Sequence, residues 1–268
     1  MKTIGPESMP RVEAMSAGSP VAHDGVSHLP SPVSAASYKE TTQSYVERPA
    51  PDRPLLSFRY VRPWLASIPV LDLGCAMGAY LREFAPESVG VDVSKPNLEH
   101  CRQLGLQVVA ADLNSDLPFA SESFPAIFCS HVLEHVDAPI QLLRECWRIL
   151  SARGTLVLGL PIEASLVNRV RGQRYFYHHP GHLYSFSLEN IDILLQKTGY
   201  EIVRLFFEPR IVRFQPWLSM MQRLPGRAMY PVALAYWVVA RKTVKPKFGA
   251  APGCGGKLTS LKNMGTPH

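Results

Sequence analysis

The chain has no apolar run long enough to span a bilayer: the longest, Val232 to Ala240, falls well short of the roughly 20 residues needed. No apolar stretch follows the N-terminal methionine, so a secretory signal is not expected. Cysteine is sparse and odd in number, with Cys75, Cys101, Cys129, Cys146 and Cys254 showing no paired spacing. That argues against a disulfide framework and for reduced, buried thiols in a cytoplasmic protein. Acids are scarce in one region only. Residues 201–268 carry eleven Lys/Arg against Glu201 and Glu208, a local balance of +9 in a chain of net charge +6. Such asymmetry suits an anionic partner or a solvated basic tail. The glycine signature Gly-x-Gly-x-x-Gly of dinucleotide enzymes is also missing, as is any internal repeat.

With 46% hydrophobic residues in 268, the chain can bury one good-sized core. Residues 1–54 hold 8 of the 24 prolines and no sustained apolar period, so they read as a disordered extension. Residues 55–242 carry the patterned domain, and 243–268 read as a basic flexible tail. A helical lead-in is expected at Phe58 to Leu65. Short branched runs at Val70–Leu73, Ser88–Val93, Leu106–Ala111, Pro125–Ser130 and Thr155–Leu160 read as buried strands. Helical periods separate them: one from Gly78 through Phe84, one from Pro96 to Leu104, and one capped by Asp137 with Ile140, Leu143, Trp147 and Leu150 on its apolar face. A further helix follows Ser187 and stops at Gly199. Tyr200–Phe207 and Ala233–Val239 form a final hairpin-like pair. The sum is an α/β fold: a doubly wound, Rossmann-like seven-stranded sheet, mostly parallel with one antiparallel strand near the C-terminus.

Pro69 to Leu81 organises the rest. A strand runs into a turn bracketed by Gly74 and Gly78, where the backbone can approach a ligand closely. Asp72 lies at that strand's end. Asp92, 20 residues on, ends the next strand, where a carboxylate can accept both hydroxyls of a ribose. Asp112 ends the third, placed to meet an adenine amino group with Leu113 beside the ring. One strand-end aspartate is ordinarily a turn residue; three in register around a glycine turn mark a nucleotide.

The segments Val70-Leu-Asp-Leu-Gly-Cys-Ala-Met-Gly, Gly90-Val-Asp-Val-Ser, Ala111-Asp-Leu with Leu117-Pro-Phe, and Phe128-Cys-Ser-His-Val-Leu-Glu-His-Val resemble the class I S-adenosylmethionine-dependent methyltransferases. The similarity is greatest to the small-molecule group that includes ubiquinone- and sterol-type enzymes, and it covers about Leu55 to Lys242. The resemblance implies S-adenosyl-L-methionine as cofactor. Asp72, Gly74, Cys75 and Gly78 would line its methionine end, Asp92 and Val93 its ribose, and Asp112 and Leu113 its adenine. Ser130 and His131 would border the transferred methyl. Two departures stand out. Ala76 replaces a usual glycine, and Ser151-Ala-Arg-Gly154 replaces the usual Pro-Gly-Gly turn.

Methyl transfer requires nucleophile, methyl and sulfur in line, and an oxygen nucleophile needs a base. His131 and His182 are the expected catalytic residues, with His178 and His179 also near. His131-Val-Leu-Glu134-His135 fits an inverted zinc-protease pattern. It begins where a strand ends instead of on a helix, so no metal is expected, and Glu134 and His135 read as closing the cofactor pocket. Arg169, Arg171 and Arg174, interleaved with Tyr175, Phe176 and Tyr177, would line an acceptor wall or contact RNA. Trp217 to Tyr230 reads as a lid, or as an interfacial helix in peripheral contact with a membrane. The expected function is methylation of a small-molecule acceptor, at oxygen. The alternatives are a non-catalytic S-adenosylmethionine-binding protein, an RNA methyltransferase and a nicotinamide-dependent oxidoreductase.

Overall fold

A computed structural model describes residues 54–55, 57–162, 182–209 and 233–243. The N-terminal extension, the Arg/Tyr-rich acceptor wall with His178 and His179, the Trp217–Tyr230 stretch and the C-terminal tail lie outside the described residues. Seven strands form one sheet: β1 Val70–Leu73, β2 Val89–Asp92, β3 Gln107–Ala110, β4 Phe124–Ser130, β5 Leu150–Pro161, β6 Tyr200–Pro209 and β7 Ala233–Lys242. Their order is β3-β2-β1-β4-β5-β7-β6. The first five pair in parallel, and β7 runs antiparallel to both β5 and β6. This is the Rossmann-like arrangement expected, with a single antiparallel strand. The order turns back at β1, which lies between β2 and β4, and that reversal opens the ligand crevice at the strand ends.

Side chains alternate between two cores, as the period of two demands. Leu71, Leu73, Ile127, Cys129, Leu156 and Leu158 point to one face. The helices α3 (Pro139–Ile149) and α4 (Leu188–Thr198) cover it. Val70, Ala126, Phe128, Val157 and Trp237 point to the other. That face is covered by the short helix α1 (Phe58–Val61), the 3₁₀ turn Arg62–Trp64 and the rings of Tyr80 and Phe84. Phe58, Tyr80, Phe84, Phe128 and Trp237 form one aromatic cluster there, Phe128 stacking on Trp237 at 5.6 Å. Trp237 Nε1 donates to Ser57 Oγ (2.9 Å), which donates to Glu208 Oε2 (2.8 Å).

Four local expectations are corrected. The helix expected after Gly78 is only a 3₁₀ turn, Leu81–Glu83, and Phe84 is already extended. Pro86 follows so soon that Ala85 is steered out of the helical region before a second turn can form. Asp137 does not cap α3. The cap position is Ala138, without a side-chain bond, while the Asp137 amide donates to Asn114 Oδ1 and its carbonyl accepts from the Tyr184 hydroxyl. The buried face of α3 is Leu142, Leu143, Cys146 and Ile149, and Ile140 is 45% exposed. Finally, β5 begins at Leu150, and the residues read as a turn before Thr155 lie within it, across a register shift against β4. The other helix ends follow expectation. Ser187 Oγ accepts from the Asn190 amide, and Gly199 closes α4 at φ 92°. Cys75, Cys101, Cys129 and Cys146 are buried free thiols. Among the described residues no helix is long and apolar enough to cross a membrane.

Candidate active site

The turn after β1 is held from three sides. The amides of Gly74 and Cys75 both donate to the Val91 carbonyl (2.8 and 3.0 Å), and Gly78 N donates to Cys75 O (2.8 Å). The Ala76 amide donates to Asp92 Oδ2 (2.8 Å). Cys101 Sγ, on the helix α2 (Lys95–Gln103), donates to Ala76 O (3.3 Å). Cys75 is 5% exposed, and a side chain at Gly90 would strike its sulfur. Cys75 is thus a packing residue that places its backbone, not its thiol, at the crevice.

Ala76 adopts φ 45°, the left-handed conformation that costs a non-glycine residue roughly 1–2 kcal/mol. The turn therefore already has the geometry a glycine would supply there. Ala76→Gly is expected to raise stability by less than about 1 kcal/mol, because the gain in the fold is partly offset by a freer unfolded chain. Denaturant unfolding checks this; a loss of stability would show that the alanine methyl packs productively.

Asp72 and Asp92 end neighbouring strands. Asp72 is 2% exposed, and its Oδ2 has no hydrogen-bond partner among the described residues. Burial, and then the charge of Asp92, push its carboxyl well above the usual carboxylate range. Asp92 Oδ1 accepts from Ser94 N (2.8 Å) while Oδ2 holds Ala76. Burial raises its carboxyl too, against the lowering effect of the amides of Ser94, Ala76 and Val93 and the side chain of Asn97. Two carboxyls that each resist ionisation, at one crevice, favour a ligand bringing positive charge.

Around them, Val93 is 45% exposed and offers apolar surface beside Asp92. Asp112 folds into a turn, its Oδ1 accepting from Asn114 N (2.9 Å). Leu113 is in the core at 7% exposure, so only its edge and its backbone are offered to a ring. Ser130, at the end of β4, shares a hydrogen bond with the Tyr80 hydroxyl, which burial pushes up to about 12. His131 follows at φ 55°, its amide bound to Gly159 O (2.9 Å). Strained residues of this kind gather at functional sites, and the described residues place two of five, Ala76 and His131, at this crevice.

Glu134, read from sequence as pocket closure, has a more active place. Its side chain is fully buried, with Oε1 3.4 Å from His131 Nδ1. Burial opposes ionisation of both groups. Their mutual attraction outweighs it, raising the imidazole and lowering the carboxyl. His182 does not join His131; its ring packs edge-on to His135 with centroids 4.7 Å apart. The Glu-His pair was visible in the sequence, but His182 lies 47 residues beyond His135 and only the fold brings the two together.

Residues 71–158 match the family described as methyltransferase domain. An uncharacterised protein of Methanocaldococcus jannaschii is 25% identical over 138 residues, covering 50% of this chain and 65% of that protein. A ubiquinone biosynthesis O-methyltransferase of Methylococcus capsulatus is 30% identical over 101 residues, 34% of this chain and 43% of the enzyme. The chain thus spans less than two thirds of the length of these relatives. Among solved structures, a SAM-dependent methyltransferase from Archaeoglobus fulgidus superposes with a TM-score of 0.55 at 22% identity, covering 69% of this chain and 90% of the other. A chain from the complex of the Haloferax volcanii Trm112 methyltransferase activator with a methyltransferase gives 0.57 at 15% identity, covering 79% and 96%.

Proposed function

We propose that this chain is an S-adenosylmethionine-dependent methyltransferase, a reading supported by its match to the methyltransferase domain over residues 71–158, and that it transfers a methyl group to an oxygen of a small-molecule acceptor. The carrying observation is the pair of carboxyls at the glycine turn, buried Asp72 and half-buried Asp92, with Asp72 Oδ2 lacking a partner among the described residues. S-adenosylmethionine brings two positive centres, an ammonium and a sulfonium, and so fits a crevice that resists bare negative charge. When bound, its sulfonium supplies the activated methyl group.

The chain's own residues orient and bind. Asp72 Oδ2 accepts the ammonium, and the turn from Gly74 through Cys75 to Gly78 runs beside it. Asp92, already held by the amides of Ser94 and Ala76, accepts the ribose hydroxyls on its remaining lone pairs. Val93, Leu113 and Asp112 frame the adenine. Ser130 and His131 border the methyl, and His131, oriented by Glu134, takes the acceptor proton. Support for an oxygen acceptor comes from the likeness to the Methylococcus capsulatus enzyme.

Calorimetric titration with S-adenosylhomocysteine tests the reading: one site is expected, and none for NAD. Because Asp72 has a raised carboxyl in the free protein and meets the ammonium as a carboxylate, affinity should fall as pH drops through that raised value. At pH below that raised value, binding should release a proton, seen as a buffer-dependent enthalpy. The sign for stability is opposite. The free protein's contribution from Asp72 is present below the unfolded value of about 3.9 and is lost as pH rises through the folded one. Asp72→Asn should bind more weakly without this pH dependence. Label from S-adenosylmethionine should pass to small molecules of a metabolite extract and not to RNA. Failure to bind S-adenosylhomocysteine overturns the proposal.

A further inference from the structure

Next to His131 lies a cluster of which methyl transfer uses only Glu134, as the partner that orients His131. Residues 131–137 form turns after β4, and the segment from His182 returns against them. Leu183 N (2.8 Å) and Tyr184 N (3.3 Å) both donate to the Glu134 carbonyl, and the Tyr184 hydroxyl donates to Asp137 O (2.8 Å). These bonds fix His182 beside His135, with the ring planes at 76°. Glu134, His135 and His182 each present a ligand atom within 4.8 Å of the other two.

The second observation is the Glu134 carboxylate itself. It is 0% exposed, and neither of its oxygens takes part in a hydrogen bond among the described residues. Its neighbour His131 Nδ1 stands at 3.4 Å. A buried carboxylate without hydrogen bonds costs several kcal/mol unless a cation offsets it, and one imidazole beyond hydrogen-bonding geometry does so only in part.

We propose that Glu134, His135 and His182 bind a divalent transition metal ion, with zinc the favoured occupant. Two imidazoles and a carboxylate select borderline metals over magnesium and calcium, which prefer an all-oxygen shell. Three protein ligands leave at least one coordination position open, as in catalytic zinc sites and unlike closed structural ones. Metal–ligand bonds of about 2.0–2.2 Å require the three atoms to close by rotation of the side chains, for which half-buried His135 and His182 have room on their exposed sides. The set differs from the inverted zinc-protease pattern, in which His131 and His135 would be the ligands. His131 instead borders the carboxylate from outside the cluster. The expectation of no metal rested on the missing helix; a turn and a returning extended segment do the same work.

The test is titration of the full chain, stripped with chelator, by Zn²⁺ and separately by Mg²⁺, with calorimetry and Co²⁺ absorption as readouts. One Zn²⁺ per chain is expected, with no heat for Mg²⁺ and a visible Co²⁺ band of a low-coordinate nitrogen and oxygen site. His182→Ala and Glu134→Gln should each weaken Zn²⁺ at least about tenfold. A His178→Ala/His179→Ala double variant should keep it. Absence of Zn²⁺ binding overturns the proposal, as does binding that survives His182→Ala and His135→Ala. Parallel titration with S-adenosylhomocysteine keeps the two readings apart: its retention without zinc sinks only the metal, and its loss with zinc retained sinks only the cofactor assignment. It also shows that each variant is folded.

Discussion

Asp92→Ala is expected to lower S-adenosylhomocysteine affinity by at least about a hundredfold, close to 2.7 kcal/mol, and to lower the melting temperature as well. The carboxylate is a junction. One oxygen holds the Ala76 amide and the other the Ser94 amide, each at 2.8 Å. It thereby fixes both the turn after β1 and the start of α2. Hydrogen bonds to a charged acceptor contribute about 1.5–3 kcal/mol each. Burial, which raises the Asp92 carboxyl, takes back part of that. Alanine therefore removes a ligand contact and also lets Ala76, in its costly left-handed conformation, relax away. Asp92→Asn should fall between, since its amide nitrogen would face one of the two backbone N–H groups. Calorimetry and thermal unfolding read the two effects separately. Unchanged affinity in Asp92→Ala would remove the residue from the cofactor site.

Gly74→Ala should be strongly destabilising. Gly74 sits at φ 71°, and a Cβ there would overlap Val132 Cγ2. The turn cannot swing away easily, because Gly74 N is bound to Val91 O at 2.8 Å. The dihedral costs roughly 1–2 kcal/mol and the overlap about 1–3 more. Both burdens fall on the contact between the first turn and the segment carrying His131 and Glu134. Adding Val132→Ala should recover the overlap but not the dihedral. A double variant no more stable than Gly74→Ala would show that the steric contact is not the cause.

Much of this was legible in the sequence because the strands are short, branched and ended by glycine or aspartate. The alternation that separates Leu71 and Leu73 from Val70 is local. So is the cap at Ser187. Two of the failures share a cause, a partner distant in sequence. Asp137 looks like a cap until Asn114 and Tyr184 claim its backbone. The apolar stripe of α3 was read through Ile140, which is exposed, while Leu143 and Trp147 do pack on the core and Leu142, Cys146 and Ile149 complete it; Trp147 also carries the Lys242 ammonium over its ring at 4.2 Å. The short turn at Leu81 was within reach of a local reading, since Pro86 stands close behind Gly78. Glu134 was not. Its character depends on His131 beside it and on the chain that returns at His182.

The aromatic face has a temporal meaning. With only a 3₁₀ turn after Gly78, that side of the sheet is closed by Phe58 from before the first strand and by Trp237 from the last one. Ser57 bonds both Glu208 and Trp237, contacts separated by 151 and 180 residues. Loops of that length close late and at an entropic cost. During synthesis the aromatic cluster is therefore complete only when the final strand supplies Trp237. The matched region at 71–158 thus contains neither Phe58 nor Trp237, the two residues that close its aromatic face.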